Sequence, residues 1–332
     1  MDFGPVPVSQ AKGAILAHSV GLPDGRLRKG VLLNDAHIAR LTAAEVAEVV
    51  VARLGAKDIH EDAAAAALAK ALVPDVAAAG LRLTAAFTGR VNVVADGPGV
   101  VQLDAAKINA ANAVNPMITV ATVPDMHQMD TGGMVATIKI ISYGVPEQDV
   151  SQACLAAMAA MRLCRPVFQT ASLIVSDIPG GPGLKGTKAI AARIDRLGMR
   201  LVETVTVPHA SRPISAAICA AKADLVLILT GSATSDVMDV APTAVRAIGG
   251  QVTRFGMPVD PGNLLFLGDV DGKPVIGLPG CARAPALNGA DWVLSRVACG
   301  IAVSNADIAA MGVGGLLKEI PTRPMPRAGR KA

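Results

Sequence analysis

Short apolar runs alternate with amphipathic segments through the second half of the chain, and this rhythm predicts an open α/β unit. Residues 172–176, 201–207 and 225–229 have the length and β-branched content of buried strands. Residues 187–196 and a segment beginning at Ser211 are predicted as the helices between them. Alternating strands and helices of these lengths imply a parallel sheet with right-handed crossovers, and ligands then bind beyond the carboxyl ends of the strands.

The pattern changes toward the end of this region. Residues 264–267 and 275–278 are predicted strands, and the Asp271-Gly272 pair between them is a strong hairpin signal. Residues 285–299 then predict a closing helix with Trp292 on its apolar face. The predicted fold class is α/β, with a C-terminal open, mostly parallel sheet that carries helices on both faces.

The N-terminal region predicts a small α+β arrangement. Asn34 is expected to cap a helix that runs through Leu41, and residues 49–53 predict a strand. His60 opens an alanine-rich helix, which Pro74 ends because proline removes a helical hydrogen bond.

A strand-rich middle region follows. Residues 88–95, 114–123 and 134–141 predict strands, and residues 149–164 predict a linking helix. The predicted division has a small α+β domain, a strand-rich region, an α/β domain and a tail: 1–75, 76–165, 166–302 and 303–332.

Composition limits the classes of function. The chain has 332 residues, of which 52% are hydrophobic, so it can bury a sizeable core. An aromatic content of 2% argues against a nucleic-acid partner that stacks its bases, and a formal charge of +4 weakly favours anionic small molecules. Basic residues between 318 and 331 are typical of a solvated tail.

Cysteine usage and hydropathy bear on the compartment. None of the five cysteines forms a C-x-x-C pair, and this favours a reduced, cytoplasmic compartment. Apolar runs stay shorter than the ~18 residues that a membrane span needs, so a membrane partner is not expected.

The most informative stretch begins where the apolar run 225–229 breaks into a small, acidic loop. Gly231, Ser232 and Ala233 let the backbone approach a ligand closely. Pro242 can occupy the first turn of the next helix. A strand, a small-residue turn and a helix N-terminus together make an anion site, because free amide groups and the helix dipole both face the ligand.

Three motifs in this part of the chain resemble a known family. Residues 230–242 are similar to the threonine/glycine-rich loop and aspartate of the molybdopterin-binding domain of molybdenum cofactor biosynthesis proteins. Residues 257–263 resemble its proline/glycine element, and residues 277–283 resemble its G-L-P-G-N-P-x loop. The resemblance covers roughly residues 166–300 and includes molybdotransferase and adenylyltransferase-like members. It implies molybdopterin or the molybdenum cofactor as the ligand.

The resemblance also implies where the ligand binds. Loops at Gly180, Gly231 and Gly280 are expected at one rim of the sheet, with Lys185 and Lys188 as further phosphate candidates. The pocket needs backbone donors for the phosphate and polar edges for the pterin. The expected cofactor-binding residues are Thr230, Gly231, Ser232, Ala233, Thr234, Asp236, Pro261, Gly262, Pro279, Gly280 and Arg283.

Asp239 is the expected catalytic and metal-binding residue, because it matches the family aspartate associated with nucleotide or metal handling. A carboxylate beside a phosphate-binding loop repels the ligand unless a divalent cation bridges them, so Mg²⁺ is its expected companion. The structural alternative is a helix N-cap before Pro242. The two roles are compatible.

The chain departs from the family pattern at several positions. His209 stands where catalytic relatives carry a second acidic residue; it can contact phosphate but cannot hold Mg²⁺ as a carboxylate does. Asp260 and Asn263 replace two lysines of the proline/glycine element, and residues 186–188 replace a D-x-N element. These changes weaken metal-assisted nucleotidyl chemistry more than they weaken holding the pterin.

Three functions remain open from the sequence. The leading hypothesis is a molybdopterin or molybdenum cofactor binding protein that acts in cofactor biosynthesis or delivery. The second is an active, Mg²⁺-dependent molybdotransferase or adenylyltransferase that uses Asp239. The third is a docking module for a separate cofactor nucleotidyltransferase, since the chain has no G-x-x-x-x-G-K-[ST] loop. Expected protein partners are biosynthesis proteins, a recipient molybdoenzyme and further copies of the chain.

Overall fold

The computed structural model describes residues 1–317. Their contacts divide the chain into two compact units: residues 1–97 with 101–163, and residues 98–100 with the chain from 164 onward. The predicted basic tail from residue 318 lies outside the described residues. The division into four segments at 75, 165 and 302 stays a prediction.

Up to residue 164 the chain forms short strands and helices. The helices are α1 (Asp35–Ala43), α2 (Glu61–Leu72), α3 (Ala105–Val114) and α4 (Glu147–Ala156). The strands are β1 (Asp2–Pro7), β2 (Ile15–Leu16), β3 (Val20–Leu22), β4 (Gly25–Leu27), β5 (Glu48–Arg53), β6 (Asp58–His60), β7 (Leu81–Leu83), β8 (Arg90–Ala95), β9 (Gly99–Leu103), β10 (Ile118–Thr122), β11 (Gln128–Met129), β12 (Met134–Ile140), β13 (Gly144–Pro146) and β14 (Met161–Cys164). They form sheets in the orders β1-β5-β2, β10-β12-β8-β7, β11-β9-β14, β13-β6 and β3-β4.

The capping and helix-ending residues of this region lie where the sequence predicts them. Asn34 caps α1, where its side-chain oxygen accepts a hydrogen bond from the backbone N–H of His37 at 3.0 Å. Helix α2 ends at Leu72, two residues before Pro74. Its buried side chains pack with those of β8 and β12 in one core that includes Leu68, Val93 and Ile138.

Two segments of the middle region differ from their predictions. Helix α3 occupies the chain up to Val114, so the predicted strand 114–123 begins only at Ile118. Asp104 caps this helix by accepting a hydrogen bond from the backbone N–H of Lys107. The predicted helix 149–164 ends at Ala156. The chain then reverses, with Ala159 at a φ of 52°, and its last residues form β14, which pairs with β9.

The second unit is the predicted α/β region. Its strands are β15 (Thr170–Asp177), β16 (Arg200–Pro208), β17 (Leu225–Leu229), β18 (Gln251–Phe255), β19 (Phe266–Val270) and β20 (Lys273–Leu278). Its helices are α5 (Thr187–Arg196), α6 (Ser211–Ala220), α7 (Val240–Ala247), α8 (Gly289–Ala298) and α9 (Asn305–Ala309). A 3₁₀ turn covers Gly280–Arg283. Within residues 1–317, no helix is long and apolar enough to cross a bilayer.

These strands form one six-stranded sheet in the order β16-β15-β17-β20-β19-β18. The pairs among β16, β15, β17 and β20 are parallel, and the pairs β20-β19 and β19-β18 are antiparallel. Asp271 and Gly272 adopt φ values of 51° and 80° in the turn between β19 and β20, as the hairpin signal predicts. The mostly parallel sheet is confirmed.

Helices cover both faces of this sheet. Residues of β17 alternate between the two cores: Leu227 packs with α5 and α8 on one face, and Ile228 packs with α6 and α7 on the other. All five residues of β17 are buried for this reason, and the strand reads as a continuous apolar run.

The aromatic ring of Phe266 lies against Gly277 of the neighbouring strand. Gly277 of β20 pairs with Phe266 of β19, whose ring is fully buried. A Cβ placed on Gly277 would lie 1.9 Å from Cε1 of Phe266, so glycine leaves the space that the ring occupies. Gly277, the first residue of the motif at 277–283, therefore has a packing role in the core.

We expect Gly277→Ala to lower the free energy of unfolding by about 1–3 kcal/mol, because the added methyl group overpacks the site. Urea denaturation measures the loss. Gly280→Ala is the matched control, since no atom lies within 4 Å of its added Cβ. The double variant Gly277→Ala/Phe266→Leu should show a smaller loss than the sum of the two single variants. Strict additivity would show that the ring is not the cause.

Candidate functional site at the carboxyl edge of the sheet

Three loops leave the sheet at the same edge, because β15, β17 and β20 are parallel. The loops after β15 and β17 lie against each other at their first residues. The backbone N–H of Gly231 donates to Oγ of Ser176 at 3.2 Å, and a Cβ on Gly231 would lie 2.8 Å from the Ser176 carbonyl oxygen. Glycine is therefore required at this position by the neighbouring strand itself.

Arg283 joins all three loops. Its Nη1 donates to the carbonyl oxygens of Gly183, at 2.9 Å, and Lys185. Its Nη2 donates to the carbonyl oxygen of Thr230 at 3.0 Å. Burial lowers the pKa of the Arg283 guanidinium, and the Asp177 carboxylate acts in the opposite direction. Arg283 was expected to bind phosphate, but most of its N–H groups donate to carbonyl oxygens of the loops.

A second arginine, Arg193 of α5, lies beneath the loop after β20. It is 7% exposed, and its guanidinium donates to the carbonyl oxygens of Ala282, Ala284 and Ala286, each at 2.9 Å. Its Nε lies 2.5 Å from Oδ1 of Asp291. Sequence reasoning missed this residue. The sequence signal that could have identified Arg193 is its place in the apolar stripe of a helix, one position before Ile194.

The loop after β17 divides into a buried and an exposed part. Thr230, Gly231 and Thr234 are buried, and the two threonine hydroxyls lie 3.4 Å apart. Ser232 and Ala233 are exposed between them, and so form the part of this loop that a ligand can reach.

Asp236 and Asp239 close this loop against α7. Oδ1 of Asp236 accepts from the N–H of Met238 at 2.7 Å. Oδ1 of Asp239 accepts from the N–H of Val240 at 2.7 Å, and its Oδ2 accepts from the N–H of Ser235 at 3.0 Å. Asp239 is thus the N-cap of α7, which is the structural alternative stated above.

The carboxylates at this rim do not form a prepared cation site. Both oxygens of Asp239 already accept backbone N–H groups. Within residues 1–317, no group of three or more His, Cys, Asp or Glu side chains is placed to hold a metal ion. The described residues thus show no ready-made Mg²⁺ site, and the catalytic and metal-binding roles of Asp239 stay predictions.

The other two predicted elements differ in their access to solvent. Pro261 and Gly262 are buried, and the carbonyl oxygen of Pro261 accepts from the N–H of Gly289 at 2.8 Å at the start of α8. Pro279 is buried as well, but Gly280 is exposed. No heavy atom lies within 4 Å of a Cβ placed on Gly280 or on Gly180. These two glycines leave open space at the rim.

Further polar groups lie at the carboxyl end of β15. Ser176 is fully buried, and its Oγ lies 2.8 Å from Nδ1 of His209. The backbone N–H of His209 donates to the carbonyl oxygen of Asp177 at 3.0 Å. Oδ1 of Asp177 is buried and lacks a hydrogen-bond partner among residues 1–317. Sequence reasoning identified His209 but neither Ser176 nor Asp177.

Comparison with known proteins agrees with the motifs. Residues 185–296 match the family model described as "Probable molybdopterin binding domain". Residues 5–53 match a model described as "Domain of unknown function (DUF8806)". None of the curated proteins compared with the chain matches it.

The chain also aligns with solved structures of low identity. The molybdopterin biosynthesis moea protein from Pyrococcus horikosii aligns at 14% identity with a TM-score of 0.31, over 90% of this chain and 76% of that one. Molybdenum cofactor biosynthesis protein B aligns at 16% identity with a TM-score of 0.30, over 41% of this chain and 97% of that one. At these scores the alignments carry no argument.

The resemblance read from the three motifs is confirmed, since all three lie inside residues 185–296. The match supports a role in molybdenum cofactor biosynthesis, with molybdopterin or its molybdenum form as the ligand class. It does not test the individual site residues, whose roles toward a ligand stay predictions.

We expect Arg193→Ala to lower the free energy of unfolding by about 3–5 kcal/mol, because it leaves Asp291 and the carbonyl oxygens of Ala282, Ala284 and Ala286 without this partner. Trp292 is the single tryptophan of the chain and packs against this core, so its fluorescence reports the loss in a urea titration. Lys188→Ala, an exposed position on the same helix, should stay within about 0.5 kcal/mol of the wild type. Equal effects of the two substitutions would contradict the assignment.

Proposed function

We propose that the chain binds molybdopterin or the molybdenum cofactor and acts in the biosynthesis or delivery of that cofactor. The observation that supports this proposal most directly is the arrangement of the rim loops. Loops from three neighbouring parallel strands are tied together by Arg283 and lie within or beside the segment that matches the molybdopterin-binding family. A rim at the carboxyl ends of parallel strands is where open α/β sheets bind ligands.

The exposed parts of the rim suit the chemistry of this ligand. Ser232 and Ala233 are exposed small residues of the loop after β17, where backbone N–H groups and a hydroxyl can bind the polar edges of a pterin. Gly180 and Gly280 leave space that a flat ring system can fill. When bound, the pterin supplies the dithiolene that holds molybdenum, and this chain supplies binding and orientation.

Binding is better supported than group transfer. Asp239 caps α7 with both carboxylate oxygens, and His209 stands where catalytic relatives carry an acidic residue. A transferase that relies on Mg²⁺ needs carboxylate ligands that are free to coordinate it. Self-association, transfer to a recipient molybdoenzyme and a cytoplasmic location stay predictions.

Purified protein titrated with molybdopterin should be stabilised by about 2.7 kcal/mol when the ligand exceeds its Kd one hundredfold, because only the folded state binds. Differential scanning calorimetry measures this, and mass spectrometry of the freshly purified protein detects a co-purified pterin. An unchanged transition at saturating ligand would reject the proposal.

Gly280→Val locates the site within the same experiment. The added side chain meets no protein atom within 4 Å of its Cβ, so the free protein should keep its stability while the ligand loses its space. We expect at least half of the ligand-induced stabilisation to disappear. Gly21→Val is the matched control, because Gly21 also faces open space, in β3 of the first unit. A ligand response that is the same in both variants would place the pterin elsewhere.

A further inference from the structure

The buried hydroxyl of Ser176 lies between a backbone amide and the ring of His209. Ser176 Oγ lies 3.2 Å from the backbone nitrogen of Gly231 and 2.8 Å from Nδ1 of His209. The Gly231 N–H can only donate, so the hydroxyl oxygen accepts from it. Within the described part of the chain, Nδ1 of His209 is then the acceptor for the hydroxyl proton. A buried hydroxyl without an acceptor costs about 1–3 kcal/mol, and this favours Ser176 as the donor.

This hydrogen bond fixes the tautomer of the histidine. If Nδ1 accepts the hydrogen bond that the Ser176 hydroxyl donates, the neutral ring of His209 carries its proton on Nε2. His209 is partly exposed as a residue, and its backbone N–H donates to the carbonyl oxygen of Asp177 at 3.0 Å. His209 therefore provides an oriented N–H donor at the end of β16, beside the loops after β15 and β17.

We propose that His209, positioned by Ser176, is a contact for the phosphate group of a pterin phosphate monoester and works without a divalent cation. The inference rests on the proposed function and names the chemical form of its ligand. A carboxylate at this position would need a cation between itself and a phosphate, whereas an N–H group donates to the phosphate oxygen directly. The side chains of the rim agree with this, since they do not form a prepared cation site.

The neighbouring charges permit an anion here. Asp177 follows Ser176 directly at the end of β15, and its Oδ1 lies 3.2 Å from the position of a Cβ on Gly181 in the glycine-rich loop. Arg283 interacts electrostatically with Asp177 and offsets its charge. The carboxylates of Asp236 and Asp239 are each bound by backbone N–H groups.

The test compares two fluorescent probes: the oxidised, phosphorylated pterin released from a molybdoenzyme, and the same pterin after phosphatase treatment. We expect the wild type to bind the phosphorylated probe about tenfold more tightly, with the same Kd in EDTA and in Mg²⁺. A preference that requires Mg²⁺ would overturn the inference. Equal binding of the two probes would overturn it and leave pterin binding intact, whereas failure of both probes to bind would reject the proposed function as well.

Substitutions assign the preference to the two residues. His209→Ala should remove the preference for the phosphorylated probe and leave the Kd of the other probe unchanged, while His209→Gln, which retains a side-chain N–H donor, should keep most of it. Ser176→Ala should reduce the preference. Ser172→Ala is its matched control, because Ser172 is another buried serine of β15 and binds Glu203 instead. Retention of the full preference in His209→Ala would overturn the inference.

Two further readouts separate positioning from a structural role. Nitrogen-15 spectra of histidine-labelled protein at alkaline pH should show His209 protonated on Nε2 in the wild type and a mixture of tautomers in Ser176→Ala. A ring protonated on Nδ1 in the wild type would overturn the assignment. Inorganic phosphate should compete only weakly with the phosphorylated probe. Displacement at equal concentrations would identify free phosphate as the ligand and would also overturn the inference.

Discussion

The rim depends on two guanidinium groups that bind the carbonyl oxygens of irregular backbone. Loops outside helices and strands leave carbonyl oxygens that need partners when they are buried. Arg193 and Arg283 supply those partners for the loops after β15, β17 and β20. Arginine suits the role because its guanidinium carries several N–H donors in one rigid plane and stays charged. The loops consequently keep a defined shape without secondary structure.

The sheet beneath the loops decides where these arginines act. Strand β17 is buried on both faces, and its neighbours β15 and β20 run parallel to it, so their carboxyl ends meet at one edge. Helix α5 packs on one face and carries Arg193 inward with its apolar stripe, beside Ile190 and Ile194. The hydrophobic packing of the domain and the shape of the rim are therefore set by the same elements.

Most polar side chains of the rim form hydrogen bonds with the backbone of the rim loops. Asp239 caps α7, Asp236 binds a loop amide, and Arg283 joins the loops. The groups left toward solvent are small residues, two glycines with open space around them and the partly exposed His209. Such a surface can hold an anionic ring compound through hydrogen bonds and shape.

Much of the second unit could be predicted from the sequence, because its signals are local. The apolar run 225–229 identified the central strand, and the Asp271-Gly272 pair identified the hairpin. The motifs at residues 230–242 and 277–283 identified two of the rim loops. Strands β14 and β18 escaped prediction: β14 pairs with β9 from much earlier in the chain, and β18 is an edge strand with few apolar residues.

Only the tertiary structure decided which side chains meet at the site. Arg193 binds carbonyl oxygens 89 to 93 residues further along the chain, and Ser176 binds a histidine 33 residues away. Asp239 matches a family motif, and its position before α7 also makes it the cap of that helix. Local sequence determines which backbone can form, because propensity and turn chemistry act between near neighbours. The partner of a buried polar group depends on what the whole fold brings within hydrogen-bond distance of it.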